Sequence, residues 1–135
     1  LGTSFYRGSD GAIFVYDVTR KNTFDELDNW QKSFLIQIGQ EGNSDFPMLV
    51  LANKIDREDA REVSESTGRN FCESKNITYL ETSAKEAINV DKAFSMIARK
   101  VIAQLKPEEI QYQVVDLGGD GDDGKGGCCG GGNKK

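Results

Sequence analysis

A doubly wound α/β fold is predicted by three features of this 135-residue chain. Three short apolar runs, rich in β-branched and aromatic residues, show little alternation, as do parallel strands covered on both faces. Between and after them, apolar residues recur three or four apart, the period of amphipathic crossover helices. Of fifty apolar residues, forty-three lie within residues 1–106, enough for one core but not for two.

Taken in order, residues 12–18 (Ala-Ile-Phe-Val-Tyr-Asp-Val) read as the first strand. Phe24, Leu27, Trp30, Phe34, Leu35 and Ile38 then follow helical spacing. Thr23 and Glu26 stand at capping-box separation, and Gly39 lies where such a helix would stop. Residues 47–52 (Pro-Met-Leu-Val-Leu-Ala) make the second strand. A weaker helix follows over about 59–75, with Val63, Thr67 and Phe71 on one face, where Gly68 costs about 1 kcal/mol against alanine. Ile77-Thr78-Tyr79-Leu80 is the third strand. Val90, Phe94, Ile97, Val101, Ile102 and Leu105 form the last apolar stripe, closed by Pro107. Three strand–helix repeats imply right-handed crossovers. A three-stranded sheet is thin, and its outer edge would expose apolar surface and unpaired backbone groups. With Leu1 in the place of an initiating methionine, that thinness leads us to expect further sequence upstream.

Composition divides the chain at residue 106. Nine of fifteen glycines lie between Gly118 and Gly132, and the last twenty-nine residues hold only seven apolar ones. Such a segment cannot offset its ordering entropy, so 107–135 reads as a flexible tail behind a folded body of 1–106. Fourteen basic residues face sixteen acidic ones in the body, and three face six in the tail, a balance that argues against a nucleic-acid surface. The absence of histidine excludes Ser-His-Asp and Cys-His catalysis and histidine-rich metal sites. Cys72 falls in a helical stretch while Cys128 and Cys129 are adjacent in the tail, so no disulfide framework is predicted and a reducing compartment fits. No apolar run approaches the roughly 20 residues of a membrane span. Asp120, Asp122, Asp123 and Gly124 superficially match a calcium loop, but its twelfth position is Gly131 rather than glutamate, and no metal site is predicted.

The chemistry sits after the second and third strands. Asn53-Lys54-Ile55-Asp56 follows one and Ser83-Ala84-Lys85 the other, both at the carboxyl ends where open α/β sheets bind ligands. An aspartate beside a purine can accept two parallel hydrogen bonds, from N1–H and the exocyclic amine of guanine, a donor pair that adenine lacks. Asn53 can bond the imidazole edge of the base and tie neighbouring loops together. The stems of Lys54 and Lys85 can cover the two ring faces with their charges near solvent. The Ala84 N–H can donate to guanine O6, where adenine presents an amine. Adenine is then refused by unpaired polar groups as well as by lost bonds. A polar turn rich in Asn, Lys and Asp would account for the first motif alone. Two such segments, one strand and one helix apart, are far more specific.

These segments, with Phe5-Tyr6-Arg7-Gly8 and Phe14-Val15-Tyr16-Asp17-Val18-Thr19, resemble the Rab family of small GTPases within the Ras superfamily. Asn22-Thr23-Phe24, Phe34-Leu35-Ile36-Gln37, Cys72 with Ser74-Lys75-Asn76, and residues 81–94 from Glu81 to Phe94 are most similar to its late-endosomal, Rab-seven-type branch. The resemblance covers residues 1–105 and implies the C-terminal two-thirds of a three-layer, doubly wound P-loop-GTPase-type sheet. It implies a switch that binds GTP and GDP with Mg²⁺ and hydrolyses GTP slowly, with Asn53, Lys54, Asp56, Ser83, Ala84 and Lys85 as the guanine-binding residues. It also implies effector, exchange-factor, GTPase-activating and escort or dissociation-inhibitor partners, the effectors reading the switch regions, of which only the final segment near Phe5–Asp10 falls in this chain. The branch-level resemblance implies a location on the cytoplasmic face of late endosomes, lysosomes or vacuoles, with a cytosolic pool.

The family's phosphate-binding loop, switch I threonine and Asp-x-x-Gly-Gln element would all lie upstream of Leu1, and no G-x-x-x-x-G-K-[ST] occurs in the chain. No catalytic residue is therefore expected in this segment. A truncated, non-catalytic GTPase-like interaction module is the alternative. A flavodoxin-like receiver is a third, but no acidic cluster or phosphoacceptor supports it. Rabs typically end in one or two geranylgeranylated cysteines, and Cys128-Cys129 after a glycine-rich linker resembles this ending. Six residues, Gly130 to Lys135, follow the pair, more than such endings usually carry, and incidental cysteines in a flexible tail are the other possibility. Base contacts alone supply only a few kcal/mol, so the 135-residue chain is expected to bind GTP no tighter than roughly millimolar. Isothermal titration checks this, and micromolar affinity would refute it.

Overall fold

Residues 6–105 are described by a computed structural model. The three apolar runs lie side by side as β1 (Ala12–Asp17), β2 (Met48–Asn53) and β3 (Thr78–Thr82), all parallel and in that spatial order. Pro47, which has no N–H to give a ladder, stands just before β2, and its carbonyl accepts the Ala12 N–H at 2.9 Å. In this register Asp17 is level with Asn53, and Asn53 with Thr82, so the three carboxyl ends share one height.

Burial on both faces, expected for all three strands, holds only for β2, whose Met48–Ala52 are all buried. The outer strands are mostly half-buried, and Val15 is 45% exposed. Coverage explains the difference. On one face Tyr16, Val18, Leu27, Phe34, Val50 and Cys72 build the main core with the first three helices. On the other, the single helix α4 (Val90–Gln104) sets Ala93 and Ile97 on Ile13, Leu49, Leu51 and Leu80. Part of the stripe predicted for α4 thus stays open, with Phe94 61% exposed.

Two helices replace the one expected after β1. They are α1 (Lys21–Asp25) and α2 (Leu27–Gln37), with Glu26 at the joint. The capping box does not form, because Thr23 lies inside α1. Its hydroxyl oxygen accepts the Asp17 N–H at 3.0 Å, and the hydroxyl is also within bonding distance of the Arg20 carbonyl at 2.7 Å. The acceptor at the helix start comes instead from Glu62, whose carboxylate takes the Lys21 N–H at 2.7 Å. Local spacing cannot reveal a cap delivered from 41 residues away. Gly39 does stop α2, at φ +69°.

The predicted helix over 59–75 is also shorter. Ile55–Ala60 forms a 3₁₀ segment, and α3 (Glu65–Ser74) begins at Ser64, whose hydroxyl accepts the Thr67 N–H at 3.2 Å. Phe24 packs edge-on between Tyr16 and Phe71, at centroid distances of 5.2 and 5.4 Å, joining α1 to α3 through the strand. Burial pushes the Cys72 thiol up to about 12, so it packs as an apolar side chain. The predicted boundary at 106/107 and the tail, including Cys128 and Cys129, lie outside the described residues.

Gly68, an apparent flaw in the sequence pattern, is required by packing. A Cβ there would meet the Tyr16 hydroxyl at 2.6 Å and the Tyr79 ring at 2.7 Å. Tyr16 is fully buried and the half-buried Tyr79 is tied to Glu81 by its hydroxyl, so the helix must move. Gly68→Ala is expected to lower unfolding free energy by about 1–3 kcal/mol in urea titration of the full-length protein, against the roughly 1 kcal/mol gain that helix propensity alone would give. Unchanged or raised stability would refute this.

Candidate functional site

At the carboxyl end of β2 the chain reverses through Lys54, which adopts the left-handed conformation (φ 71°, ψ 36°), and enters the 3₁₀ segment that carries Asp56. The Lys54 side chain is half exposed, and its amine is paired. It reaches back to the Asp17 carboxylate at 2.6 Å. Asp17 also accepts the Thr19 N–H at 2.9 Å and the Thr19 hydroxyl at 2.7 Å. Partial burial would raise the Asp17 carboxyl, but the bonds from Lys54 and Thr19 outweigh it and hold the group below its ordinary range.

Beyond β3, Ser83 is buried and exchanges two backbone bonds with Ile88, at 3.2 and 2.9 Å. Ala87 and Asn89 take positive φ (56° and 58°) to close this loop. The Asn89 side-chain amide donates to the Glu81 carbonyl at 2.8 Å, tying the loop to its own strand. Ala84 and Lys85 are thereby presented at the rim, both exposed.

Two side chains join the motif segments. Asn53 Oδ1 accepts the Ala84 N–H at 3.1 Å, with the Thr82 hydroxyl at 3.5 Å. The Ser83 hydroxyl donates to Asp56 Oδ1 at 2.6 Å. That bond is the main cause holding the Asp56 carboxyl below the ordinary range, with Lys85 and Arg57 adding to it. Asn53, Asp56, Ser83 and Ala84 therefore form one hydrogen-bonded cluster, as the loop-tying role expected of Asn53 requires. The Ala84 N–H, expected to face a ligand, is engaged by Asn53. Lys54 and Lys85 flank the cluster without bonding to it.

Sequence reasoning missed Asp17, Asn89 and Arg61. A carboxylate within an otherwise apolar strand run was a signal for Asp17. Asn89 and Arg61 gave none, since their partners are fixed only by folding. Arg61 donates to Glu58 at 2.7 Å and to Glu81 at 3.0 Å. An apolar hollow of about 170 Å³, lined in part by Val15, Leu51, Ala84 and Phe94, adjoins the cluster. A larger cavity, about 680 Å³, lies at the opposite end of the sheet beside Pro47 and Thr78. Also among the described residues, no three His, Cys, Asp or Glu side chains converge to hold a metal, and no helix is long and apolar enough to cross a membrane. Chemically the rim offers a lowered carboxylate with one oxygen committed to Ser83, an amide and two cationic stems. This set suits a planar heterocycle with adjacent N–H donors.

The Ras family sequence model matches residues 1–103. The Ypt/Rab-type GTPase Rab7 of Neurospora crassa is 50% identical over 118 residues, covering 86% of this chain and 58% of the relative. Ras-related protein Rab-7a of Dictyostelium discoideum is 46% identical over 134 residues, covering 96% and 64% respectively. Ras-related protein Rab7 of Pisum sativum is 42% identical over 132 residues, covering 95% and 64%. The chain thus spans 58% to 64% of the length of these relatives. With a family match over residues 1–103, and a parallel sheet whose motif segments meet at one end, the chain belongs to the Ras family and is similar to GTPases of the Rab7 type.

Proposed function

We propose that the full-length protein is a Rab-type GTP-binding switch with slow GTP hydrolysis, and that the cluster at the carboxyl ends of β2 and β3 chooses its base. The supporting observation is the pair of bonds, Asn53 to Ala84 at 3.1 Å and Ser83 to Asp56 at 2.6 Å, that holds both motif segments as one rim. Asp56 accepts guanine N1–H and the exocyclic amine. Asn53 meets the imidazole edge while keeping Ala84 in place, and the Ala84 N–H is shared between Asn53 and guanine O6. The stems of Lys54 and Lys85 lie on the ring faces. Asp17 keeps the Lys54 amine at the edge of the site rather than over the ring. Adenine would leave Asp56 facing no donor pair, a mismatch worth several kcal/mol.

Hydrolysis requires groups that cradle phosphates, hold Mg²⁺ and orient water. The 135 residues contain no G-x-x-x-x-G-K-[ST], and among the described residues no three His, Cys, Asp or Glu side chains converge on one point. No phosphoryl-transfer step is derived through them. In the switch reading, effectors, exchange factors, GTPase-activating proteins and escort or dissociation-inhibitor proteins are the partners. Cys128 and Cys129 carry geranylgeranyl groups, two chains giving the stable anchoring that one does not. The working location is the cytoplasmic face of late endosomes, lysosomes or vacuoles.

Asp56→Asn keeps an oxygen for the Ser83 hydroxyl and turns the second acceptor into a donor. In the full-length protein it is expected to weaken GTP binding by roughly 100-fold and to move preference toward xanthosine triphosphate. Unchanged GTP affinity in competition titrations would refute base reading by Asp56. Intact mass spectrometry of the native C-terminus is expected to find two isoprenoid additions on Cys128 and Cys129, and an unmodified pair would refute the anchor.

A further inference from the structure

Beneath the rim, a second connection joins the same two chain segments. The Arg61 side chain is 13% exposed, and its guanidinium is a three-way fork. Nε donates to Glu58 at 2.7 Å, while Nη1 donates to the Val63 carbonyl at 3.1 Å and to Glu81 Oε1 at 3.0 Å. Glu58 lies two residues after Asp56, and Glu81 two residues before Ser83. Arg61 therefore grips the 3₁₀ segment with one limb and the end of β3 with another. The grip on Glu58 is exposed and worth little, since that side chain is 70% open to water. The grip on Glu81 is mostly enclosed, at 22% exposure, and Glu81 Oε1 takes a further bond from the Tyr79 hydroxyl at 3.2 Å. Tyr79 itself packs against Gly68 and under the Arg69 guanidinium, 5.4 Å from its ring centroid, so Glu81 is braced from α3 as well.

We infer that Arg61 is a positioning residue for base selection, setting through Glu81 the separation between the Asp56 carboxylate and the Ser83–Ala84 backbone. This rests on the guanine reading proposed above. The Ser83–Asp56 bond spans that separation but does not fix it alone, because a hydroxyl can rotate to follow a displaced carboxylate. The planar guanidinium, anchored at three points, resists such a shift, and lysine offers only a point charge on a flexible stem.

Guanosine and inosine diphosphates differ only in the exocyclic amine that Asp56 would accept, so their affinity ratio reads the alignment of Asp56. Loss of folded protein weakens both ligands equally and leaves that ratio unchanged. Competition titrations on the full-length protein with Arg61→Lys and Glu81→Gln, and with Arg61→Ala where it folds, are expected to cut the ratio by about fivefold or more. Glu58→Gln, which weakens only the exposed limb, is expected to leave it within about twofold. A ratio within about twofold of the parent's in Arg61→Lys and Glu81→Gln would make Arg61 a structural strut and overturn this inference alone. A parent protein that does not distinguish the two nucleotides would overturn the guanine reading and this inference with it.

Discussion

A level register governs the upper end of this molecule. Because Asp17, Asn53 and Thr82 close their strands at one height, a short amide on the middle strand reaches the backbone beyond the third, and Lys54 reaches the end of the first. A shift of one residue in β2 would turn Asn53 to the opposite face of the sheet and break both connections at once. Burial enforces the register. Leu49 and Leu51 serve one face, while Met48, Val50 and Ala52 serve the other, so no slipped arrangement buries both sets. Core packing thereby fixes polar geometry that the polar residues could not fix unaided.

The elements most legible in the sequence were those set by local period. The three strands lie where their apolar runs stand, and the stop at Gly39 follows from its freedom at positive φ. Elements decided by distant partners were illegible. The start of α1 depends on Glu62, the position of Thr23 on Asp17, and the tolerance of Gly68 on two tyrosine rings from β1 and β3. The same division holds at the site. Asn53, Asp56, Ser83 and Ala84 announced themselves by motif, and they do meet. Asn89 and Arg61 act through partners that become neighbours only when β3 is placed, and the ion pair of Lys54 was not legible because Asp17 belongs to another strand.

Charge at this end is arranged by pairing rather than by quantity. Asp17, Asp56 and Glu81 converge on neighbouring loops without mutual conflict because each has its own donors, respectively Lys54 with Thr19, Ser83, and Arg61 with Tyr79. The left-handed turn at Lys54 places a side chain where a glycine would be easier on the backbone. A lysine there carries the charge that meets Asp17, which offsets part of the strain.

The carboxylate of Glu62 at the start of α1 also bears on the order in which the chain assembles. A five-residue helix with no cap of its own cannot hold its first turn in isolation. It acquires its acceptor only once β2 and the loop behind it have docked. The first turn of α1 is therefore a product of tertiary docking rather than of local sequence. A helix that sequence alone would place as an independent unit is thus anchored by a carboxylate from the far side of β2, and its integrity reports on whether that distant loop is seated.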